Sequence, residues 1–242
     1  MENKGLRKKI RIPFLLPIRC ILFIVSFILL FIISKKQFTE ISKWWTTVAI
    51  ICNVITIIIL FMFIKRKNMN YKELIHFEKR QTKVSTTILM ICIIIVVGMV
   101  GLNLAGLICY KKFPYLDKTL VEPIPFWLSI IVLLLLPIST TIAEDGLYLG
   151  YAIHLSSKKQ RFYSFLASVF YALQHSFIPF LPDAQFILYR FLSFLPLTVL
   201  ICFWYQKKRD PLPFIIGHFL LNVATAVQIL IMSVFPELYN VI

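Results

Sequence analysis

The sequence predicts an all-α, polytopic membrane protein with about seven transmembrane helices, and three observations carry that expectation. Of 242 residues, 59% are hydrophobic and only 15% charged, with a mean hydropathy of +0.83. Soluble domains lie nearer half apolar and a quarter charged. Apolar runs of membrane length recur at 14–34, 46–64, 86–109, 125–153, 163–181, 185–204 and 212–235. The basic residues, finally, gather on alternate loops.

That asymmetry sets the orientation. With the N-terminus in the cytoplasm, the inside segments hold Lys4, Arg7, Lys8, Lys9 and Arg11, seven residues between Lys65 and Lys83, Lys158, Lys159 and Arg161, and Lys207, Lys208 and Arg209. Eighteen inside stand against six outside, the bias expected of a multi-pass protein of the cell membrane. The net charge of +15 therefore reports topology and attraction to the anionic lipid bilayer, and a nucleic-acid partner is not expected.

The elements follow in order. The first run comes after MENKGLRKKIR and has the start of a signal peptide, but it is of span length and no A-x-A site precedes Lys35, so it reads as an uncleaved span. Trp44 and Trp45 stand at the entrance of the second run, Trp127 at one end of the fourth and Trp204 at one end of the sixth, where indoles prefer the interface. The longest polar stretch, KRKNMNYKELIHFEKRQTK, is expected to form an amphipathic helix on the inner surface, with His76 a plain surface residue. The long fourth run contains Pro137, which could divide it into two pieces. Cys20, Cys52, Cys92, Cys109 and Cys202 lie in or at the ends of runs without a C-x-x-C pair, so neither disulfides nor a metal cluster is expected.

Residues 1–120 read as an N-terminal scaffold of three spans and 121–242 as the functional core. A charge at mid-membrane costs about 3 kcal/mol on insertion scales, so intramembrane polar groups are functional candidates. Apart from Arg19 they fall late in the chain: Glu144, Asp145, His175, Arg190 and His218, with Gln174 and Asn222 as neutral partners. On an α-helix Glu144, Tyr148 and Tyr151 share a face, as do Tyr171 with His175 and His218 with Asn222. Their depths allow three helices to converge a carboxylate, two imidazoles and an amide on the cytoplasmic side. Adjacent residues on a helix point about 100° apart, so Glu144 and Asp145 are expected to face different neighbours, with Asp145 lacking a cation. Arg190 is expected to snorkel or to cap a loop.

Three segments carry a resemblance: EDGLYL at 144–149, YALQH at 171–175 and HFLLN at 218–222. In order and spacing they resemble the pattern E-E-x-x-x-R, F-x-x-x-H and H-x-x-x-N of the CPBP family, the CAAX-protease and bacteriocin-processing (Abi) intramembrane peptidases. The resemblance implies an endopeptidase acting on membrane-associated peptides or proteins near the cytoplasmic face. It implies that Glu144 activates water with help from His175, that His218 and Asn222 hold the developing oxyanion, and that Asp145 and Tyr171 support them. Asp145 stands where the pattern has a second glutamate, Tyr171 where it has phenylalanine, and Leu149 where it has arginine.

Chemistry fits this implication: a carboxylate stripped of water is a stronger base, and two N–H donors one turn apart can point at one oxygen. No cofactor is expected. Zinc held by Glu144, His175 and His218 is the weaker alternative, since no H-E-x-x-H helix is present. The rival function, favoured by Leu149, is a catalytically degenerate relative acting as a membrane-bound regulator or a bacteriocin self-immunity protein. A transporter using Glu144 and Asp145 is a third class, for which inverted repeats are missing.

Overall fold

Ten α-helices and one π-helix make up most of the described residues, which in this computed structural model are 13–77, 83–156 and 160–241. The basic residues Lys4 to Arg11, Lys79, Arg80, Lys158 and Lys159 lie outside them, as does part of the expected surface helix. The α-helices are α1 (Ile18–Ser34), α2 (Phe38–Ile41), α3 (Trp45–Arg66), α4 (Tyr71–Leu74), α5 (Val84–Tyr110), α6 (Phe126–Glu144), α7 (Gln160–His175), α8 (Ala184–Lys208), α9 (Leu212–Val234) and α10 (Pro236–Val241). The π-helix, Asp145–His154, continues directly from α6.

Five helical stretches are long and apolar enough to cross a membrane: Phe38–Arg66, Val84–Tyr110, Phe126–His154, Ala184–Lys208 and Leu212–Val234. Two of the seven apolar runs are met by shorter helices, α1 with 17 residues and α7 with 16. The protein is therefore a multi-pass helical membrane protein. Ile21, Ile32, Ile51, Leu89, Met99 and Leu134 point outward, large apolar side chains on what a soluble protein would hide.

Pro137 does not split the fourth run, because α6 passes through it to Glu144. What changes is the winding after Glu144, where the backbone bonds span five residues, as in Leu155 N–H to Gly150 C=O at 3.2 Å. The expected surface helix over 65–83 is not continuous in its described part. α3 ends at Arg66, Asn68 adopts φ 50°, and Asn70 then starts α4 with its side chain accepting from Glu73 N–H. A left-handed residue followed by a capping box breaks one helix and begins another.

Two apolar clusters hold the bundle. One, including Phe23, Phe27, Val48, Val132, Leu136 and Ile229, joins α1, α3, α6 and α9. The other, including Leu60, Ile94, Leu147, Tyr171, Ile201 and Phe214, joins the π-helix to α3, α5, α7, α8 and α9. Glu144 and Asp145 fall between Leu136 and Leu147, hence between the two clusters. Close packing of α5 positions α8: a Cβ on Gly101 would lie 2.4 Å from the Ser193 carbonyl oxygen, so only glycine permits this approach.

Candidate active site

Glu144 ends α6 and Asp145 opens the π-helix, and both are buried. His175 closes α7, and His218 lies in the second turn of α9. The four meet. Glu144 Oε2 lies 3.3 Å from His218 Nε2 and 4.0 Å from His175 Nε2, while Asp145 Oδ1 lies 3.2 Å from His218 Nδ1. The expectation that the adjacent acids diverge is corrected here: both reach one imidazole, one at each ring nitrogen. An imidazole presents its two nitrogens on separate edges, and the two residues straddle the change from α to π winding, so divergent directions still end on the same ring.

Tyr148 and Tyr151, expected on the face of Glu144, meet different neighbours. Tyr148 O–H donates to Gln174 Oε1 at 3.2 Å beside the site, whereas the Tyr151 ring packs edge-on against Phe63, 5.0 Å between centroids, and against Phe14.

Tyr171 adds more than a ring. Its hydroxyl stands 3.2 Å from His218 Nδ1, and the ring stacks on Tyr148 at 4.5 Å. His175 stacks on Phe194 at 3.6 Å, with its ring held face to face. Arg190 donates to the carbonyls of His175 at 3.2 Å and Ile178 at 3.0 Å, so it caps the end of α7 rather than snorkelling. Asn222 Nδ2 donates to the His218 carbonyl at 2.9 Å, one turn back on its own helix. One amide N–H is thereby used and the second remains.

A cavity of about 90 Å³ adjoins these groups, its walls including Tyr171, His175, Phe194, Leu197, His218 and Asn222. A water in the liquid occupies about 30 Å³, so the space suits a few waters. The wall is apolar apart from the two histidines, Tyr171, Asn222, Thr198 and Thr225. Glu144 is not in that wall, but its Oε2 is 3.3 Å from the Nε2 of His218, which is.

Arg19, from the N-terminal half, joins this cluster. It is only 1% exposed, and its Nη2 donates to Glu144 Oε1 at 2.8 Å. Its Nε donates to Gln174 Oε1 and its Nη1 to Thr56 Oγ1 at 3.3 Å. The signal was present, because an arginine in an apolar run carries the same insertion penalty as Glu144. Leu149, at the position where the motif has arginine, is fully buried among apolar neighbours. His76, read as a plain surface residue, stacks on His154 at 4.7 Å, away from this cluster in the chain and outside the cavity wall.

Fold and site define a multi-pass helical membrane protein with a buried centre of two acids and two histidines contributed by α6, the π-helix, α7 and α9. Residues 125–224 match the model of the family described as type II CAAX prenyl endopeptidase Rce1-like, a family of membrane proteases consistent with the CPBP resemblance. The matched segment is under half of the chain but contains all three motifs. No curated protein and no solved structure matches.

Proposed function

We propose that this protein is an intramembrane endopeptidase that cleaves a peptide bond of a membrane-associated substrate near the cytoplasmic face. The observation that carries the reading is the convergence of Glu144, His175 and His218 from three helices beside a water-sized cavity. A water that passes from the cavity between the His175 and His218 rings to Glu144 Oε2 gives its proton there, and the oxygen adds to the carbonyl carbon. The tetrahedral oxyanion is met by His218 Nε2 and the free N–H of Asn222. The carbon–nitrogen bond then breaks and the proton passes to the leaving amine. Asp145 and Tyr171 orient the His218 ring from its Nδ1 edge.

No cofactor enters this sequence of steps; zinc on Glu144, His175 and His218 is the less favoured variant. A second reading is supported by Leu149: a relative that binds peptides or partner proteins without cleaving, as a regulator or a bacteriocin self-immunity protein. Comparative peptidomics separates the two. Cells carrying the intact protein should release peptides that cells carrying Glu144→Gln do not. Identical peptide pools, with a retained biological effect, would give the non-cleaving reading the site.

A further inference from the structure

A guanidinium buried between helices of a membrane protein calls for a use. Arg19 of α1 contacts Thr56 of α3, Glu144 of α6 and Gln174 of α7, and its guanidinium carbon stands 5.3 Å from the Phe23 ring centroid. Each of the three acceptors is itself buried. Thr56 O–H donates to the Cys52 carbonyl at 2.7 Å, which leaves its oxygen lone pairs for Arg19. Gln174 Oε1 also accepts from Tyr148, so the amide cannot turn without losing two donors. The fork is held from both sides.

Packing alone does not account for this. An apolar pair of similar volume is often as stable as a buried ion pair, or more so, and avoids the desolvation of two charges. The geometry also divides the Glu144 carboxylate. Oε1 is taken by Arg19, whereas Oε2 has no hydrogen bond of good geometry and faces the two histidine rings at 3.3 and 4.0 Å. A carboxylate free to rotate about its last torsion would offer either oxygen. This one offers a single oxygen to the site.

We infer that Arg19 is the positioning residue for Glu144: it clamps Oε1 so that Oε2 is presented to His175 and His218, two residues of the cavity wall, and helix α1 is thereby part of the catalytic assembly. This rests on the endopeptidase reading. It also deepens it, because a guanidinium then reaches Glu144 from another helix, 125 residues away in sequence, although Leu149 supplies none.

The test uses the full chain in membranes and a synthetic peptide spanning whichever bond is released in a Glu144-dependent manner. Arg19→Met should lower kcat by about a hundredfold with KM nearly unchanged, since Arg19 does not touch the substrate. Arg19→Lys, which keeps the charge but has a single point donor in place of a fork, should recover part of that loss. Gln174→Met leaves the ion pair and removes the acceptor for Nε; it should lower kcat several-fold, again at constant KM, and it keeps the inference testable if Arg19→Met fails to accumulate. Full kcat in Arg19→Met, or in Gln174→Met where Arg19→Met is absent from the membrane, overturns the role of Arg19 while leaving the endopeptidase reading intact. A loss confined to KM overturns it too. If Glu144→Gln itself releases the same peptides as the intact protein, the endopeptidase reading falls and takes this inference with it.

Discussion

Glu144 and Asp145, adjacent in the chain, reach the two nitrogens of a single imidazole, His218, at 3.3 and 3.2 Å. The two acids are thus not interchangeable. Glu144 also faces His175 and is clamped by Arg19, whereas Asp145 meets the Nδ1 edge of His218. Glu144→Gln keeps the shape but not the base, and should cut cleavage by about 10²–10⁴-fold while the protein remains in the membrane. Asp145→Asn retains an oxygen that can accept from Nδ1 but loses its charge, and should cost about tenfold, or ~1.4 kcal/mol. Rates on the released peptide decide; a larger loss in Asp145→Asn would exchange the two roles.

Tyr171→Phe removes the hydroxyl beside His218 Nδ1 and keeps the ring that stacks on Tyr148. One hydrogen bond of this kind contributes about 1 kcal/mol. The variant should therefore be folded, slightly less stable to heat in detergent, and active within about tenfold of the original. Complete loss of cleavage would place Tyr171 among the reacting groups.

Gly101→Ala would put a methyl 2.4 Å from the Ser193 carbonyl oxygen, a backbone atom that cannot swing aside. Overpacking of this sort costs about 1–3 kcal/mol. Thermal unfolding in detergent should show the loss, and cleavage should fall with it because α8 carries Phe194, the ring stacked on His175. An unchanged unfolding midpoint would mean that α5 and α8 can separate without cost.

The proposed topology has seven spans with the N-terminus inside and the C-terminus outside. Reporter fusions after Lys67 and Arg209 should read cytoplasmic, and a fusion after Asp183 external. Among the helices that meet the seven apolar runs α1 and α7 are the short ones, so the fusion after Asp183, between α7 and α8, is the sensitive one. A cytoplasmic signal there would reverse α8 and the depth at which His175 and His218 meet.

Cleavage should persist in a strong chelator, because a carboxylate base with imidazole and amide donors needs no Lewis acid. Activity lost on chelation and restored by zinc would assign Glu144, His175 and His218 to metal chemistry.

Much of the site was legible in the chain. Glu144, Asp145, His175 and His218 stood out because each is costly in an apolar run, and the structure brings all four together. Asn222 lies in the same cavity wall, although its amide also serves its own helix. Arg19 carried the same signal, but its partner is 125 residues away and no periodicity within one helix points to it. The meeting of Asp145 with His218 has no signal in the spacing either: the two acids diverge on their own helix and meet again only because one imidazole offers a nitrogen to each.

The sequence by itself determined that this chain crosses a membrane many times and that its intramembrane acids and histidines fall in three motifs of the C-terminal half. Both are local, additive properties: a bilayer responds to the length and apolarity of a segment, and a motif to short spacings. Which side chains meet was decided only by the tertiary structure. Contact depends on the rotation and register of each helix against several others, set by many small packing terms spread along the chain. A glycine that lets α5 close on α8, a change of winding at Asp145 and an arginine on α1 each turn a group by a fraction of a helical turn. Together they aim Arg19 at one oxygen of Glu144 and leave the other to the histidines.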